Sequence, residues 1–472
     1  MKLLYLFLIT VFGFQMTTAQ LQSFEPTADY SGQKFGSIVG MNADNIFAGT
    51  ITSATSPGKL YLFNTNLEQM QSFYPTDALI DDRFANGFSF ENNFLAISSP
   101  QHDAAGTDTG AVYLYQKNGT GYDFFQKITA ADAMPGDYFG SSTKMQDGFL
   151  FIAASGDEPD SENNTNRGSV YVYTFNGTQW TMLQKLSTIE PAMQPINIIP
   201  TLGGEFFINN DQMKIWSGDY QTNFTLIDGF WVYQSAYQMA YIVGGGSYSI
   251  YGMKISDNQS FLMSNGDFAM YLQVRDLTPP NSYQYIDLPP FIDENSYSYY
   301  GFDVNDGLLF VGRASNSLQE KRPVMFHKKI GNQWQFQKTL YGNGPEGIND
   351  SFGTVLSTAS GMAVFGAPDE GLNGKAYFAS EAALRNDSFY QNKISVFPNP
   401  AHNNLHVSFS LPIDNNMTAS IVDVSGRSIV RFDLEQEQQV QNLDIGSLRN
   451  GMYLLVVRKN NQTIYSSRFV KQ

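Results

Sequence analysis

The 472-residue chain contains no cysteine. Disulfides are therefore excluded, as is lipid attachment at a signal-peptide cysteine, and stability must come from core packing or bound ions. Charge is scarce as well: 15% of residues are Asp, Glu, Lys or Arg, against roughly 25% in an average globular protein. What charge there is leans one way, with 28 Lys and Arg against 44 Asp and Glu, for a net charge of -16. This argues against nucleic acid, whose phosphates need Lys and Arg partners. The acidity reads as solubility outside the cell, with cation binding as the competing account. Histidine is rare, at four residues. His102 and His327 lie outside any nucleophile motif, and His402 and His406 fall in the C-terminal segment. Gly-x-Ser-x-Gly, Ser-x-Asp-x-Gly-x-x-Trp and His-Glu-x-x-His are all missing, so no catalytic residue is assigned. A carboxylate pair for glycoside hydrolysis stays open, because its separation is three-dimensional.

Beyond the N-terminus, no hydrophobic run is long enough to span a bilayer. At the N-terminus, Met1-Lys2 supplies charge, residues 3–14 an apolar stretch and Thr17-Thr18-Ala19-Gln20 a small-residue cleavage site. This pattern predicts a secretory signal peptide over residues 1–19, cut between Ala19 and Gln20. The abundant residues are Gly (41), Tyr (27) and Phe (37), the mixture expected of many short strands and tight turns.

The last eighty or so residues alternate apolar and polar positions. Leu405, Val407, Phe409 and Leu411 share one face, and period two marks a half-buried strand. Further runs at 419–424, 428–434, 452–458 and 464–470 are divided by Ser425-Gly426-Arg427, Asn450-Gly451 and Asn460-Asn461, predicting a small β-sandwich. Phe397-Pro398-Asn399-Pro400, Leu405-His406-Val407, Asp423-Val424-Ser425-Gly426-Arg427, Asn450-Gly451-Met452-Tyr453 and Phe469-Val470-Lys471-Gln472 resemble the type A C-terminal sorting domain of the type IX secretion system. The resemblance implies passage across the outer membrane of a Bacteroidetes-type bacterium. It also implies removal of the domain by a sortase-like peptidase, followed by release or surface attachment.

A repeat occupies the middle of the chain. Each copy opens on an aromatic-Gly pair or a near variant. An apolar run ending in small residues follows, then a strand of the form Gly-x-apolar-Tyr-apolar-aromatic. One copy holds Phe139-Gly140, Phe149-Leu150-Phe151-Ile152-Ala153-Ala154 and Gly168-Ser169-Val170-Tyr171-Val172-Tyr173; another has Phe352-Gly353 and Phe365-Gly366-Ala367-Pro368. These resemble the FG-GAP repeat of integrin-α-type β-propellers. Copies start at Phe35, Phe84, Phe139, Tyr251, Tyr300 and Phe352. The interval of 112 between the third and fourth is twice the usual period and predicts a hidden copy using Phe206-Phe207-Ile208 and Met213-Lys214-Ile215-Trp216. Seven blades result. Gln22-Ser23-Phe24-Glu25-Pro26 nearly repeats Gln71-Ser72-Phe73-Tyr74-Pro75, so the N-terminal strand is expected to complete the last blade and close the ring. The expected fold is thus all-β: a seven-bladed propeller over 20–380, a linker over 381–393 and a C-terminal β-sandwich over 394–472.

The resemblance implies calcium loops between the first two strands of several blades. The turns here, such as Glu91-Asn92-Asn93 and Gln146-Asp147-Gly148, are too short to supply six to eight oxygens. The acidic loop 156–167 differs. Asp157, Asp160 and Glu162 are candidate metal ligands with oxygens enough for one calcium but no regular spacing, and a solvated loop is the competing reading. Asp103 and Asp108 extend that acidic rim as candidate ligand contacts. Tyr297 and Tyr299 could stack on a sugar or pack at the rim. The resulting expectation is a secreted or surface-displayed propeller that binds protein or glycan without catalysis and needs no cofactor beyond an optional calcium. A polysaccharide-active enzyme and a purely structural surface component are the alternatives.

Overall fold

The computed structural model describes residues 21–27, 33–51, 57–157, 168–186, 206–209, 211–217, 220–238, 249–256, 259–265, 270–276, 283–287, 301–312, 323–344, 350–385, 394–409, 417–423, 427–435, 440–459 and 462–472. Ala19 and Gln20 lie outside these residues. The chain forms two compact units, Leu21–Ala379 and Ser380–Gln472.

In the first unit, seven four-stranded antiparallel sheets follow one another. Six are meanders of consecutive strands: blade 1 over 38–73, blade 2 over 88–128, blade 3 over 139–186, blade 4 over 206–238, blade 5 over 249–287 and blade 6 over 302–340. The seventh is composite. Leu356–Ala359, Met362–Ala367 and Lys375–Ala379 are joined by Gln22–Phe24, with Gln22 opposite Phe378 and Ser23 opposite Tyr377. The chain is a seven-bladed β-propeller in which the first strand completes the last blade. Blade 4 stands where the doubled interval places it, opening with Phe206–Asn209 and Gln212–Ser217.

Burial follows position within a blade. The second strands Phe94–Ser99 and Phe149–Ala154 are buried along almost their whole length because sheets cover both faces. Fourth strands such as Gly121–Ile128 show intermittent burial at the rim. Aromatic clusters fill the spaces between blades: Phe47, Phe73, Phe84 and Tyr113 between blades 1 and 2, and Phe94, Phe139 and Trp180 between blades 2 and 3. Each such fully buried side chain contributes about 2–3 kcal/mol. Phe24, Phe35, Phe63 and Phe378 form the cluster between blades 7 and 1.

The two hallmarks of the repeat meet in space. The glycine that opens a third strand lies against the aromatic that opens the next blade. Gly110 bridges Phe139 and Gly374 bridges Phe35. A Cβ on Gly58 would come within 2.0 Å of the Phe84 carbonyl oxygen. The glycine is required because backbone meets backbone there.

A second device binds blades at the rim. The Gln126 side-chain amide donates to the Trp180 carbonyl, and the Trp180 N–H donates back to Gln126 Oε1, both at 2.9 Å. Gln71 holds Tyr122, Gln184 holds Trp231 and Gln284 holds Trp334 in the same way. Each glutamine thus extends the hydrogen bonding of one fourth strand to the next, over the aromatic that fills the space between blades. Two hydrogen bonds at about 1 kcal/mol each set the expected effect of Gln126→Ala at about 2 kcal/mol. Chemical denaturation checks this, and an unchanged midpoint would show the pair to be idle.

Blade 6 contains His327, which is 4% exposed and whose Nδ1 has no hydrogen-bond partner among the described residues. Burial pushes its pKa down from 6.5 to about 4. The neutral ring is the folded form, so the unfolded chain gains a proton first as pH falls. Stability from this site is full above about pH 6.5 and declines as pH drops towards 4, by about 3 kcal/mol in all. His327→Phe should flatten that portion of the stability-pH curve; equal slopes for both proteins would refute the assignment.

The second unit is a β-sandwich. One sheet has Asn404–Phe409 between Ile394–Phe397 and Val440–Asp444; the other is ordered Ser428–Asp433, Met417–Val422, Gly451–Lys459, Gln462–Lys471. Leu405, Val407 and Phe409 point inward with Ile421, Leu455 and Phe469, as alternation predicts. Val440–Asp444 carries no legible apolar alternation, because its inward residues are Gln441 and Leu443. The helix Glu381–Arg385 precedes the sandwich. No helix among the described residues is long and apolar enough to cross a membrane.

Candidate functional site

Antiparallel strands alternate direction, so the loop joining second and third strands and the connector to the next blade emerge at the same end of a sheet. On blades 2 and 3 this end comprises connector 74–87, loop 100–110, connector 129–138 and residues 155–157. Hydrogen bonds join them in sequence: Gln101 N–H to the Asp82 carbonyl, Gly136 N–H to Thr107 O, and Tyr138 N–H to Asp108 O.

Each blade carries a polar cluster here. In blade 2, Asp77 Oδ1 accepts from the Tyr113 hydroxyl at 3.0 Å and Oδ2 from Lys127 Nζ at 2.7 Å. His102 Nε2 lies 2.6 Å from the same Nζ. An ammonium has no acceptor, so Nε2 accepts and Nδ1 carries the proton that it donates to Asp82 Oδ2 at 2.6 Å. Lys127 also stands 5.1 Å above the Tyr113 ring. In blade 3, Asp132 accepts from Tyr171 at 2.9 Å and from Lys185 at 2.6 Å. Asp157 meets Lys185 at 2.7 Å, and Lys185 lies 4.8 Å from the Tyr171 ring centre. Asp77 corresponds to Asp132, Asp82 to Asp137, His102 to Asp157 and Lys127 to Lys185. Blade 7 has a variant in which the Tyr377 hydroxyl donates to Glu370, itself paired with Lys375 at 3.1 Å.

The electrostatics follow from burial and these partners. Burial alone would raise Asp77 and Asp132. Hydrogen bonds from lysine and tyrosine, with the lysine charge, outweigh it and hold both carboxyls below their ordinary value. Lys185 is raised: burial works against its charge, but Asp132 and Asp157 prevail. Burial raises Asp137 despite the Met134 N–H, with the Asp157 charge adding to it. Burial and then the adjacent carboxylates push the Tyr113 and Tyr171 hydroxyls well above the usual range.

Of the residues singled out from sequence, Asp157 is buried and directed at Lys185 and Tyr171. Asp160 and Glu162 lie outside the described residues, as do Tyr297 and Tyr299. Asp103 is exposed and its Oδ1 accepts from the Asp108 N–H at 2.8 Å; Asp108 is half-buried with φ 56°. The two therefore brace one loop. Among the described residues no group of three or more His, Cys, Asp or Glu could hold a metal ion.

The two Asp-Gly turns between first and second strands do not fit calcium. Asp147-Gly148 and Asp306-Gly307 are tight hairpins with positive φ at both residues. Nearby carboxylates are engaged across blades, Glu91 accepting from the Asp147 and Gly148 N–H groups and Asp306 from that of Ser360. Sequence reasoning did not single out Lys127, Lys185, Asp77 or Asp132. The available signal is the spacing Asp-x4-Asp-x-Phe, shared by Asp77…Asp82-Arg83-Phe84 and Asp132…Asp137-Tyr138-Phe139.

Comparison with known proteins separates the two parts of the chain. Residues 122–173 match the FG-GAP repeat, and residues 395–472 match the secretion system C-terminal sorting domain. No curated protein matches. Among solved structures, the chain is similar to a protein from Lactobacillus plantarum at 10% identity, over 85% of this chain and 99% of that one, with a TM-score of 0.43. It is similar to the periplasmic gluconolactonase PpgL of Pseudomonas aeruginosa at 12% identity, over 85% and 99%, with a TM-score of 0.42. For the N-terminal domain of Nup159 the identity is 10%, the coverage 76% and 94%, and the TM-score 0.38. The chain joins a β-propeller bearing FG-GAP repeat sequence to a type IX secretion C-terminal sorting domain, the mark of secretion or cell-surface export in Bacteroidetes-type bacteria.

Proposed function

We propose that the exported propeller is a non-catalytic binding or adhesion module for an extracellular protein or glycan, and that blades 2 and 3 carry the contact face. The observation behind this reading is the pair of fixed, half-wet carboxylates. Asp77 and Asp132 have side chains 50% and 54% exposed, yet a tyrosine and a lysine hold each in one orientation. Polar groups immobilised before binding lose little conformational entropy on contact. In this account residues 1–19 are removed between Ala19 and Gln20. A sortase-like peptidase then removes the C-terminal domain, leaving the propeller released or attached at the outer surface. Calcium at Asp157, Asp160 and Glu162 is a competing element of the proposal, since an ion there has to displace Lys185 from Asp157.

A glycan and matrix-protein array with the purified full chain, run with calcium and again with chelator, tests this. Reproducible binding weakened by Asp77→Ala with Asp132→Ala supports the module. Dependence on calcium that disappears with Asp160→Ala supports the ion. Silence on both arrays rejects the binding reading.

A further inference from the structure

Two successive connectors contain the same turn. In 79–82 the Leu79 N–H donates to Asp82 Oδ2 at 2.8 Å, and the Asp82 N–H donates to the Leu79 carbonyl at 3.2 Å. In 134–137 the Met134 N–H donates to Asp137 Oδ2 at 2.6 Å, and the Asp137 N–H donates to the Met134 carbonyl at 3.2 Å. Asp82 and Asp137 are 2% and 3% exposed, whereas Leu79 and Met134 are 63% and 64% exposed, with Ile80 at 40%. Each turn is clamped from below. Two residues after each buried carboxylate comes a fully buried aromatic, Phe84 or Phe139, and the Asp82 carbonyl takes hydrogen bonds from Gln101 N–H and the Ser99 hydroxyl. A loose loop could fold its leucine away from water. These turns hold a large apolar side chain outward, at equivalent positions of neighbouring blades, and covering that apolar area on docking is favourable at about 25 cal/mol per Å².

The surroundings define the occupant. Around the anchors Asp81 and Asp103 are exposed and pair with no lysine or arginine among the described residues, whereas the exposed Asp77 and Asp132 are each already paired with a lysine; Arg83 is the exposed cation of the same connectors. A partner therefore gains from Lys and Arg. Leu, Ile and Met offer no ring for a sugar to stack on; Tyr74 in the same connector is exposed, but Lys59 Nζ lies 5.7 Å from its ring centre and its hydroxyl donates to the Ala78 carbonyl. Loop 100–110 touches both connectors and separates the two anchors, so an occupant reaching both is a surface or an extended segment rather than one sugar ring.

We infer that this face docks an extracellular protein whose contact surface interleaves apolar side chains with Lys and Arg. The inference rests on the binding reading above and names its partner class. The probe is a phage-displayed random-peptide library panned on the full chain, with counter-selection on Leu79→Ser/Met134→Ser. Both substitutions are at exposed positions, and circular dichroism with thermal melting confirms folding. The expected result is enrichment of peptides combining Lys or Arg with apolar residues, with binding to the double variant weakened at least about tenfold, or 1.4 kcal/mol. A conservative Leu79→Met should retain binding. No enrichment, acidic consensus peptides, or binding indifferent to the double variant overturns the inference. Glycan-array binding that survives Leu79→Ser/Met134→Ser also overturns it, while leaving the module itself intact.

Discussion

Replacing Gly110 by alanine is expected to destabilise the propeller by more than about 4 kcal/mol, the range reserved for mutations that break a specific structural feature. Backbone strain and a steric clash combine. Gly110 has φ +84°, where an L side chain is strained by about 1–2 kcal/mol. The clash costs more. A Cβ there would stand 2.1 Å from the Phe139 carbonyl oxygen and 2.5 Å from its nitrogen. Both obstacles are backbone, held by the Phe139 N–H donating to Thr109 O, with a ring packed at 0% exposure. Relief therefore requires parting blades 2 and 3 rather than turning a side chain. Gly119→Ala is the control: its φ is +63° and nothing lies within 4 Å of its Cβ, so it suffers the strain without the clash. Urea unfolding of the two variants separates the contributions, and similar midpoints would discard the steric explanation. Gly374→Ala, with Phe35 O at 2.3 Å, should open the seam between blades 7 and 1 for the same reason.

That contact also explains why the architecture is legible in the sequence. A backbone-to-backbone approach tolerates only glycine, and the aromatic opposite must fill the space between blades. Both residues thus recur at the repeat period, and even the faint blade 4 could be located by arithmetic. The closing strand Gln22–Phe24 was readable because it copies Gln71-Ser72-Phe73, which does the same work in blade 1. The rim and the candidate site were harder. Their partners are about fifty residues apart, as in Asp77 with Lys127, Asp132 with Lys185 and Gln126 with Trp180. Among 44 acidic residues no single Asp draws notice. Asp157 looked like the first ligand of an acidic loop, because its likeness to His102 and Glu370 emerges only when the strands are aligned in space. Leu79 and Met134 passed unremarked too, since exposure is a property of the turn that holds them and not of the residue.

Lys185→Met should cost about 4 kcal/mol at neutral pH, a deficit arising from what is left behind. Lys185 Nζ is shared between Asp132 at 2.6 Å and Asp157 at 2.7 Å. Asp132 is half-exposed and can turn to water. Asp157 is 6% exposed, and without the lysine its side chain keeps the Tyr171 hydroxyl at 3.4 Å, too long to offset a buried charge. Methionine retains the apolar stem over the Tyr171 ring, so the loss is electrostatic rather than a packing defect. The pH dependence has a definite sign. The folded pKa of Asp132 is lowered, so its pairing adds stability above the unfolded carboxyl value and loses it as pH falls through the folded one. The folded pKa of Lys185 is raised, so its contribution is full below the unfolded lysine value and disappears as pH climbs through the folded one. The gap between wild type and variant should therefore be widest near neutrality and narrow towards both extremes. Asp157→Asn in the Lys185→Met background removes the stranded charge and should restore more than half of the loss. If the double variant were no more stable than the single one, the buried carboxylate would not be the cause. The cluster would then act through Tyr171 packing, and the fixed orientation of Asp132 on the proposed contact face would need another source.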